Sequence, residues 1–179
     1  MVVTEKKIDS AEIYNGRIIK VFRDNVSLDG GSSAVREVVR HKGAAAIIAV
    51  DENGEAFFVE QFRYPVNRPL FEVPAGKIDD CETPLECAKR ELEEECGITA
   101  EKWNDLGPML SSPGFCDEVI YLFLAEGLSF TKQNPDEDEY LDVIKLPLSE
   151  VLGRIRRGEI PDAKTQVLVL RGCDKLGIK

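Results

Sequence analysis

The sequence predicts an α/β (α+β) sandwich built around a mixed β-sheet, and three observations lead to this fold class. β-rich runs fill the first third of the chain, and the Gly30-Gly31 and Asn53-Gly54 pairs that separate them are typical of hairpin turns. Helical periodicity is confined to three segments, one central and two C-terminal. Strands and helices do not alternate as regular βαβ units, so a purely parallel sheet is not expected.

The strands are predicted in chain order. The first hairpin pairs residues 16–28 with 34–41, and the second pairs 44–51 with 55–63. The remaining strands are expected near 70–74, 102–110, 118–126 and 139–146.

The central helix is predicted over residues 83–96. Thr83 and Glu86 have the spacing of a capping box, Pro84 lies in the first turn, and Gly97 supplies the C-terminal stop. Apolar residues at helical spacing predict its buried stripe. These residues are Leu85, Ala88, Leu92 and Cys96. The C-terminal helices are expected over 148–158 and 162–176, the second capped by Asp162.

The composition of the chain argues against several classes of function. The 179 residues carry a formal net charge of −10, which repels phosphate backbones, so we expect no nucleic-acid partner. The start of the chain has no signal-peptide core, and the longest apolar run, Ala44–Val50, is too short to cross a bilayer. Five cysteines without a C-x-x-C pair, and a single histidine, favour reduced thiols and a cytoplasmic protein rather than a zinc site.

The central helix is unusually acidic. Residues 76–98 hold eight carboxylates and three basic side chains. Glu91, Glu94 and Glu95 have i, i+3, i+4 spacing and can share one patch, where like charges repel. A solvated face is the ordinary interpretation. Converging carboxylates beside the backbone carbonyls of VPAGKIDD would also suit a hard divalent cation, and spacing alone leaves both interpretations open.

A longer motif favours the cation site over the solvated face. Gly76, Glu82 and the run Arg90-Glu91-Leu92-Glu93-Glu94-Glu95-Cys96-Gly97-Ile98 resemble the complete Nudix box, G-x5-E-x7-R-E-U-x-E-E-x-G-U, in which U is aliphatic. The resemblance implies a Nudix-type α/β/α sandwich with N-terminal antiparallel strands added. It also implies hydrolysis of a nucleoside diphosphate linked to another group, with Mg²⁺ or Mn²⁺ as cofactor.

The resemblance assigns roles within the box. It implies metal ligation by Glu91, Glu94 and Glu95 and by the carbonyl of Ala75, with Glu94 also counted among the catalytic residues. Arg90 is implied to orient these glutamates rather than to contact substrate.

The flanks of the box resemble the ADP-ribose pyrophosphatase subgroup. Pro113 in SSPGFCDE, together with VEQFRYPV, FEVPAGKI and DAKT, carries this similarity. It implies substrate contacts from Arg36, Arg63, Gly114 and Glu118, with the arginines on phosphates or ribose and Glu118 on ribose hydroxyls. Each also has an ordinary interpretation, as a strand-edge charge, a turn residue or a solvated strand start. An aromatic residue to stack on adenine is not evident.

The catalytic base is expected in the acidic loop of residues 134–143. A D/E run is usually a solvated loop. The subgroup resemblance instead implies a mobile loop whose glutamate deprotonates the attacking water, and it favours Glu139, closely followed by Glu137.

These inferences combine into one prediction. Residues 1–42 form an N-terminal strand region that exchanges between two subunits of a homodimer, and residues 43–179 form the Nudix domain. The substrate is ADP-ribose or a related nucleoside diphosphate sugar, hydrolysed to AMP and ribose 5-phosphate, with no membrane partner. Two alternatives stay open: a pyrophosphatase for GDP-mannose or a flavin dinucleotide, and a non-catalytic module that binds ADP-ribose.

Overall fold

A computed structural model describes residues 4–135 and 139–179 of the chain. The chain divides into two compact units. One comprises the chain up to Gly43 together with Leu110–Val119, and the other comprises Ala44–Met109 and Ile120–Lys179. The predicted domain boundary after residue 42, with its role in dimerisation, stays a prediction.

The first unit contains a three-stranded antiparallel sheet. Strands β1 (Lys6–Asn15), β2 (Lys20–Ser27) and β3 (Ser33–Arg40) lie in that order, and β2 and β3 form the hairpin predicted around Gly30-Gly31. Strand β1 was not predicted, and it gains its hydrogen bonds from β2. Several of its apolar side chains, among them Ile8, Ile13 and Tyr14, are exposed in the single chain.

The second unit contains a seven-stranded mixed sheet. The strands are β4 (Ala44–Val50), β5 (Glu55–Arg63), β6 (Arg68–Glu72), β7 (Ala75–Lys77), β8 (Ile98–Leu110), β9 (Val119–Phe130) and β10 (Leu141–Pro147), and a 3-10 turn covers Tyr64–Val66. The path of the sheet runs β10-β5-β4-β9-β8, with β6 paired to β5 and β7 paired to β4. Strand β4 is parallel to β9 and antiparallel to β5 and β7, so the predicted mixed sheet is confirmed.

Helices cover both faces of this sheet. The helices are α1 (Pro84–Cys96), α2 (Leu148–Arg156) and α3 (Ala163–Leu176). Alternate residues of β4 point to opposite faces, so Ile47 packs with Leu92 of α1 while Ile48 packs with Leu168 of α3. Because both faces are covered, β4 is apolar at every position, and the predicted α/β/α sandwich is confirmed. Within the described residues, none of the helices has the length and apolarity that a membrane span requires.

Helix α1 begins and ends as its sequence predicts. The Thr83 side chain accepts from the Glu86 N–H, the Glu86 side chain accepts from the Thr83 N–H, and Gly97 adopts a left-handed conformation. The predicted buried stripe is incomplete, because Leu85 is only half-buried while Cys87, Glu91 and Glu95 are buried beside Leu92. Two of the acidic side chains therefore lie on the covered side of the helix.

Gly97 provides a test of how α1 is stopped. Its φ is 63°, and an added Cβ would lie 2.9 Å from both the Thr131 carbonyl oxygen and the Gln133 nitrogen. We expect Gly97→Ala to destabilise the protein by more than the roughly 1–2 kcal/mol of left-handed strain alone. Gly158→Ala is the matched control, since Gly158 has a φ of 74° and open space at its Cβ position. Urea denaturation measures both, and equal losses would contradict the contact with residues 131–133.

Candidate active site

The core of the site is formed where β7 meets α1. Strand β7 pairs with β4 through Ala75 and Ala46, which places the backbone of Ala75 and Gly76 beside α1. The Ala75 N–H donates to Glu95 Oε2 over 3.1 Å. The carboxylate of Glu95 is thereby fixed against the sheet, with only 2% of the residue exposed.

Gly76 leaves the space that the Glu91 carboxylate occupies. A Cβ built on Gly76 would lie 1.8 Å from Glu91 Oε1, closer than any contact between non-bonded atoms. Glu91 is 7% exposed. The first glycine of the box is therefore required by the close approach of a carboxylate to backbone, which explains its place in the motif.

Arg90 connects four acidic side chains around this core. Its Nε donates to Glu82 Oε1 over 2.9 Å, and its Nη1 donates to Glu91 Oε1 over 2.7 Å and to Glu94 Oε2 over 2.9 Å. Asp79 lies at 4.0 Å from Nη2. The hydrogen bonds from Arg90, above all, lower the pKa of Glu82, and Glu82 in turn raises the pKa of Arg90. Much of the repulsion in the acidic segment is thus offset by one guanidinium, consistent with the orienting role predicted for Arg90.

The two buried glutamates resist ionisation. Burial, followed by the charges of Glu94 and Glu139, raises the pKa of Glu91 to about 7 despite Arg90. Burial, followed by the charges of Glu91 and Glu139, raises the pKa of Glu95 to about 8 despite the Ala75 N–H. A bound cation would stabilise the ionised forms of both carboxylates.

The donor chemistry of this cluster fits a hard divalent cation. Three carboxylates are adjacent and the backbone of Ala75 and Gly76 lies beside them, and oxygen donors are what Mg²⁺ and Mn²⁺ accept. Among the described residues, however, no group of three or more Asp, Glu, His or Cys side chains is already arranged to hold a metal ion. Glu91 and Glu94 are instead both paired with Nη1 of Arg90. The metal-ligand roles of Ala75, Glu91, Glu94 and Glu95 stay predictions.

The acidic loop is attached to the same helix. The Thr131 N–H donates to the Gly97 carbonyl, the Asn134 N–H to the Glu94 carbonyl, and the Gln133 Nε2 to the Glu95 carbonyl. Sequence reasoning missed Gln133, since nothing in the box indicates which residue caps its last carbonyls.

One of the predicted bases, Glu139, influences the buried carboxylates of the box. The charge of Glu139 acts on both Glu91 and Glu95, so Glu139 lies within electrostatic reach of the buried carboxylates. The other predicted base, Glu137, lies outside the described residues.

Arg63 belongs to an ion cluster beside the box. Its Nε and Nη2 donate to the two carboxylate oxygens of Glu72 over 2.9 and 2.7 Å, and Lys164 donates to the same carboxylate. Although burial opposes ionisation of Glu72, these bonds hold its pKa below the ordinary value. Sequence reasoning missed Glu72 and Lys164, although both lie in segments, FEVPAGKI and DAKT, that carry the subgroup resemblance.

The remaining predicted substrate residues belong to the first unit. Arg36 donates from Nε and Nη2 to the carboxylate of Glu5, over 2.9 and 2.5 Å. Glu118 Oε1 lies 3.4 Å from Nδ1 of His41. Gly114 lies in a turn with open space at its Cβ position. Their substrate roles are untested by these contacts and stay predictions.

Comparison with known proteins agrees with this arrangement. The chain belongs to the Nudix family, since the NUDIX domain matches residues 39–166 and includes the whole box. The family resemblance of the sequence is therefore confirmed.

Relatives of this chain include several pyrophosphatases. It is 42% identical over 163 residues to an ADP-ribose pyrophosphatase of Bacillus subtilis, covering 90% of this chain and 88% of the relative. It is 40% identical to an ADP-ribose pyrophosphatase of Mycobacterium tuberculosis, covering 86% and 75%. It is 44% identical to a methanol dehydrogenase activator of Bacillus methanolicus, covering 92% and 90%.

Solved structures confirm the fold. An ADP compounds hydrolase superposes with a TM-score of 0.84, covering 98% of this chain and 97% of its own. At 18% identity, that match supports the fold alone.

Gly76→Ala tests the geometry of the buried carboxylates. The new methyl group must displace the Glu91 side chain, so we expect the protein to fold but to bind a divalent cation at least about tenfold more weakly. The measurement is the rise in melting temperature with added MgCl₂ or MnCl₂. Gly153→Ala, in α2, serves as the control and should keep the full metal-induced rise. A Gly76→Ala protein stabilised by metal as strongly as wild type would disprove the proposed contact between cation and Glu91.

Proposed function

We propose that this protein is a Mg²⁺-dependent ADP-ribose pyrophosphatase that releases AMP and ribose 5-phosphate. The observation that carries the proposal is the buried carboxylate pair of Glu91 and Glu95 beside Gly76. Arg63 lies close enough to oppose the raised pKa of Glu95. The substrate comes from the relatives: ADP-ribose pyrophosphatases match at 40–42% identity, whereas GDP-mannose pyrophosphatases match at 32–35%.

The box residues prepare the phosphates for attack. Glu91, Glu94, Glu95 and the Ala75 carbonyl would hold the divalent cation, which supplies charge neutralisation and a more acidic water. Arg90 orients three of the box glutamates in the absence of a cation. The side chain of Arg63 is 40% exposed, so its guanidinium could donate to a phosphate oxygen of the substrate.

The reaction itself is a displacement by water. Glu139 accepts a proton from water, the water oxygen forms a bond to one of the two phosphorus atoms, and the bridging P–O bond breaks. The bridging oxygen departs on the other phosphate, which leaves AMP and ribose 5-phosphate. Most of the rate would come from positioning and charge neutralisation rather than from covalent participation of the protein.

The cellular location, the oligomeric state and the remaining substrate contacts are proposed from the family resemblance. We propose a cytoplasmic homodimer that uses the three-stranded sheet, because Ile8, Ile13, Tyr14 and Val35 are each more than half exposed in the single chain. Sedimentation velocity tests this dimer. Arg36, Gly114 and Glu118 stay candidate substrate contacts on the same resemblance.

Two other functions remain to be separated from this one. A GDP-mannose or dinucleotide pyrophosphatase would share the same box, since the box determines the pyrophosphate chemistry and not the attached group. A silent module that binds ADP-ribose would be expected to lack box carboxylates, and this chain retains all of them. The name of the Bacillus methanolicus relative gives an effect on another enzyme and does not identify a substrate.

A substrate panel separates these functions. We expect AMP release from ADP-ribose with MgCl₂ to exceed turnover of GDP-mannose and of flavin adenine dinucleotide by at least about tenfold in kcat/KM. Chromatographic separation of the products measures this. Glu94→Gln should lose most of the activity, because it removes one proposed ligand charge. Faster GDP-mannose hydrolysis would contradict the substrate assignment, and undiminished Glu94→Gln activity would contradict the proposed metal site.

Glu139→Gln tests the base. The charge of Glu139 acts on the buried carboxylates, so this residue is near the site. A positioned general base accelerates a reaction by about 100-fold or more. We therefore expect kcat of Glu139→Gln to fall by that factor with little change in KM. Steady-state kinetics of Glu139→Gln and Glu137→Gln measured side by side decide the assignment. A larger loss in Glu137→Gln would transfer the role to that residue.

A further inference from the structure

We propose that Glu72 is a positioning residue that holds the guanidinium of Arg63 for the pyrophosphate group of the substrate, with Lys164 as the second cation of the cluster. The inference rests on the proposed function and adds to it a residue that lies outside the Nudix box.

The contact between Arg63 and Glu72 determines the plane of the guanidinium. Arg63 ends β5 and Glu72 ends the neighbouring strand β6, which runs antiparallel to it. Two nitrogens of Arg63 donate to two different oxygens of Glu72, over 2.9 and 2.7 Å. A bidentate pair of this kind restricts rotation of the arginine far more than a single hydrogen bond does. The flexible side chain therefore has one preferred orientation before any substrate arrives.

Charge balance alone does not explain this arrangement. Glu72 is 1% exposed, whereas the side chain of Arg63 is 40% exposed and could be solvated without a partner. A buried ion pair seldom stabilises a protein more than apolar residues of the same volume would. Burying a carboxylate beneath the partly exposed Arg63 does, however, restrict where its guanidinium can lie.

Lys164 connects the cluster to α3. It donates to Glu72 and, over 3.1 Å, to Asp162, the N-cap residue of the helix. Asp162 also accepts from the backbone N–H of Thr165 over 3.0 Å and from its hydroxyl over 2.6 Å. Two cations thus face two carboxylates, so the cluster is neutral as a whole. The cluster therefore gives Arg63 a defined position without adding net positive charge to the site.

Residues 72–75 connect Arg63 to the candidate metal ligands through hydrogen bonds. The Val73 N–H donates to Thr165 Oγ1, the Pro74 carbonyl accepts from the Ile47 N–H, and the Ala75 N–H donates to Glu95. One end of the segment therefore fixes Arg63 through Glu72, and the other end fixes Glu95. The spacing between the phosphate-binding cation and the metal ligand is set by four consecutive residues.

Glu72→Gln removes the charge and keeps the shape. We expect KM for ADP-ribose to rise about tenfold, with kcat within about threefold of wild type, because the lost contact serves substrate and transition state alike. Glu150→Gln is the control, since it removes a carboxylate from an exposed ion pair with Arg154. An unchanged KM in Glu72→Gln would overturn the proposal.

A double-mutant cycle separates positioning from a structural role. In an Arg63→Ala background, adding Glu72→Gln should change kcat/KM by less than about twofold, because there is no guanidinium left to position. A loss as large as in wild type would overturn the proposal.

Glu72→Gln/Lys164→Met controls for folding, since it removes both charges together. We expect Glu72→Gln alone to lower the melting temperature, because it leaves Lys164 without its buried counter-charge. The double variant should melt closer to wild type while its KM stays high. Recovery of KM with the melting temperature would overturn the proposal, because Glu72 would then only balance the charge of Lys164.

The wild-type assay keeps this inference distinct from the proposed function. Absence of ADP-ribose hydrolysis by wild type would contradict the proposed function. The same cycle, run on whichever nucleoside diphosphate compound the wild type cleaves, would then support or overturn the role of Glu72 by the same criterion.

Discussion

The burial of two carboxylates between α1 and β7 is the constraint on which the rest of the site depends. Removing Glu91 and Glu95 from water costs several kcal/mol per charge unless partners compensate. The partners present are the guanidinium of Arg90 and the Ala75 N–H, and the pKa values of both glutamates remain raised. The apolar contacts of Ala88 and Leu92 with the sheet hold the helix in place against this cost. The ionised forms of both carboxylates are therefore unfavourable in this site, and a bound divalent cation would stabilise them.

Two short backbone segments position most of the side chains of the candidate site. Residues 72–77 place the partner of Arg63, the donor to Glu95 and the space for Glu91 within six consecutive positions. Residues 131–134 attach the acidic loop to the last turn of α1. Because side chains of the box and backbone of its neighbours are joined by hydrogen bonds, a change in either segment moves the carboxylates. The two glutamates and Arg63 are thus connected through residues 72–77.

The residues that indicate the family differ from those that would determine the substrate. This chain belongs to the Nudix family, and its relatives carry names that give either ADP-ribose or GDP-mannose as substrate, so family membership does not decide between the two. Arg63 and Lys164 lie outside the box and meet at the buried carboxylate of Glu72. In the function that we propose, these two cations would place a phosphate group relative to the candidate metal ligands, so a substitution there could change specificity without removing the box.

The sequence by itself determined the features that depend on neighbours a few residues apart. These are the hairpins at Gly30-Gly31 and Asn53-Gly54, the capping box of α1, the Asp162 cap and the Nudix box, since turns and caps are decided locally. Strand β1 and the burial of Glu91 and Glu95 were not predicted, because periodicity marks apolar faces and cannot show a carboxylate covered by another strand. The ion pair between Glu72 and Lys164 joins residues 92 positions apart. Only the tertiary structure could decide such contacts, since they form where separately predicted elements pack together.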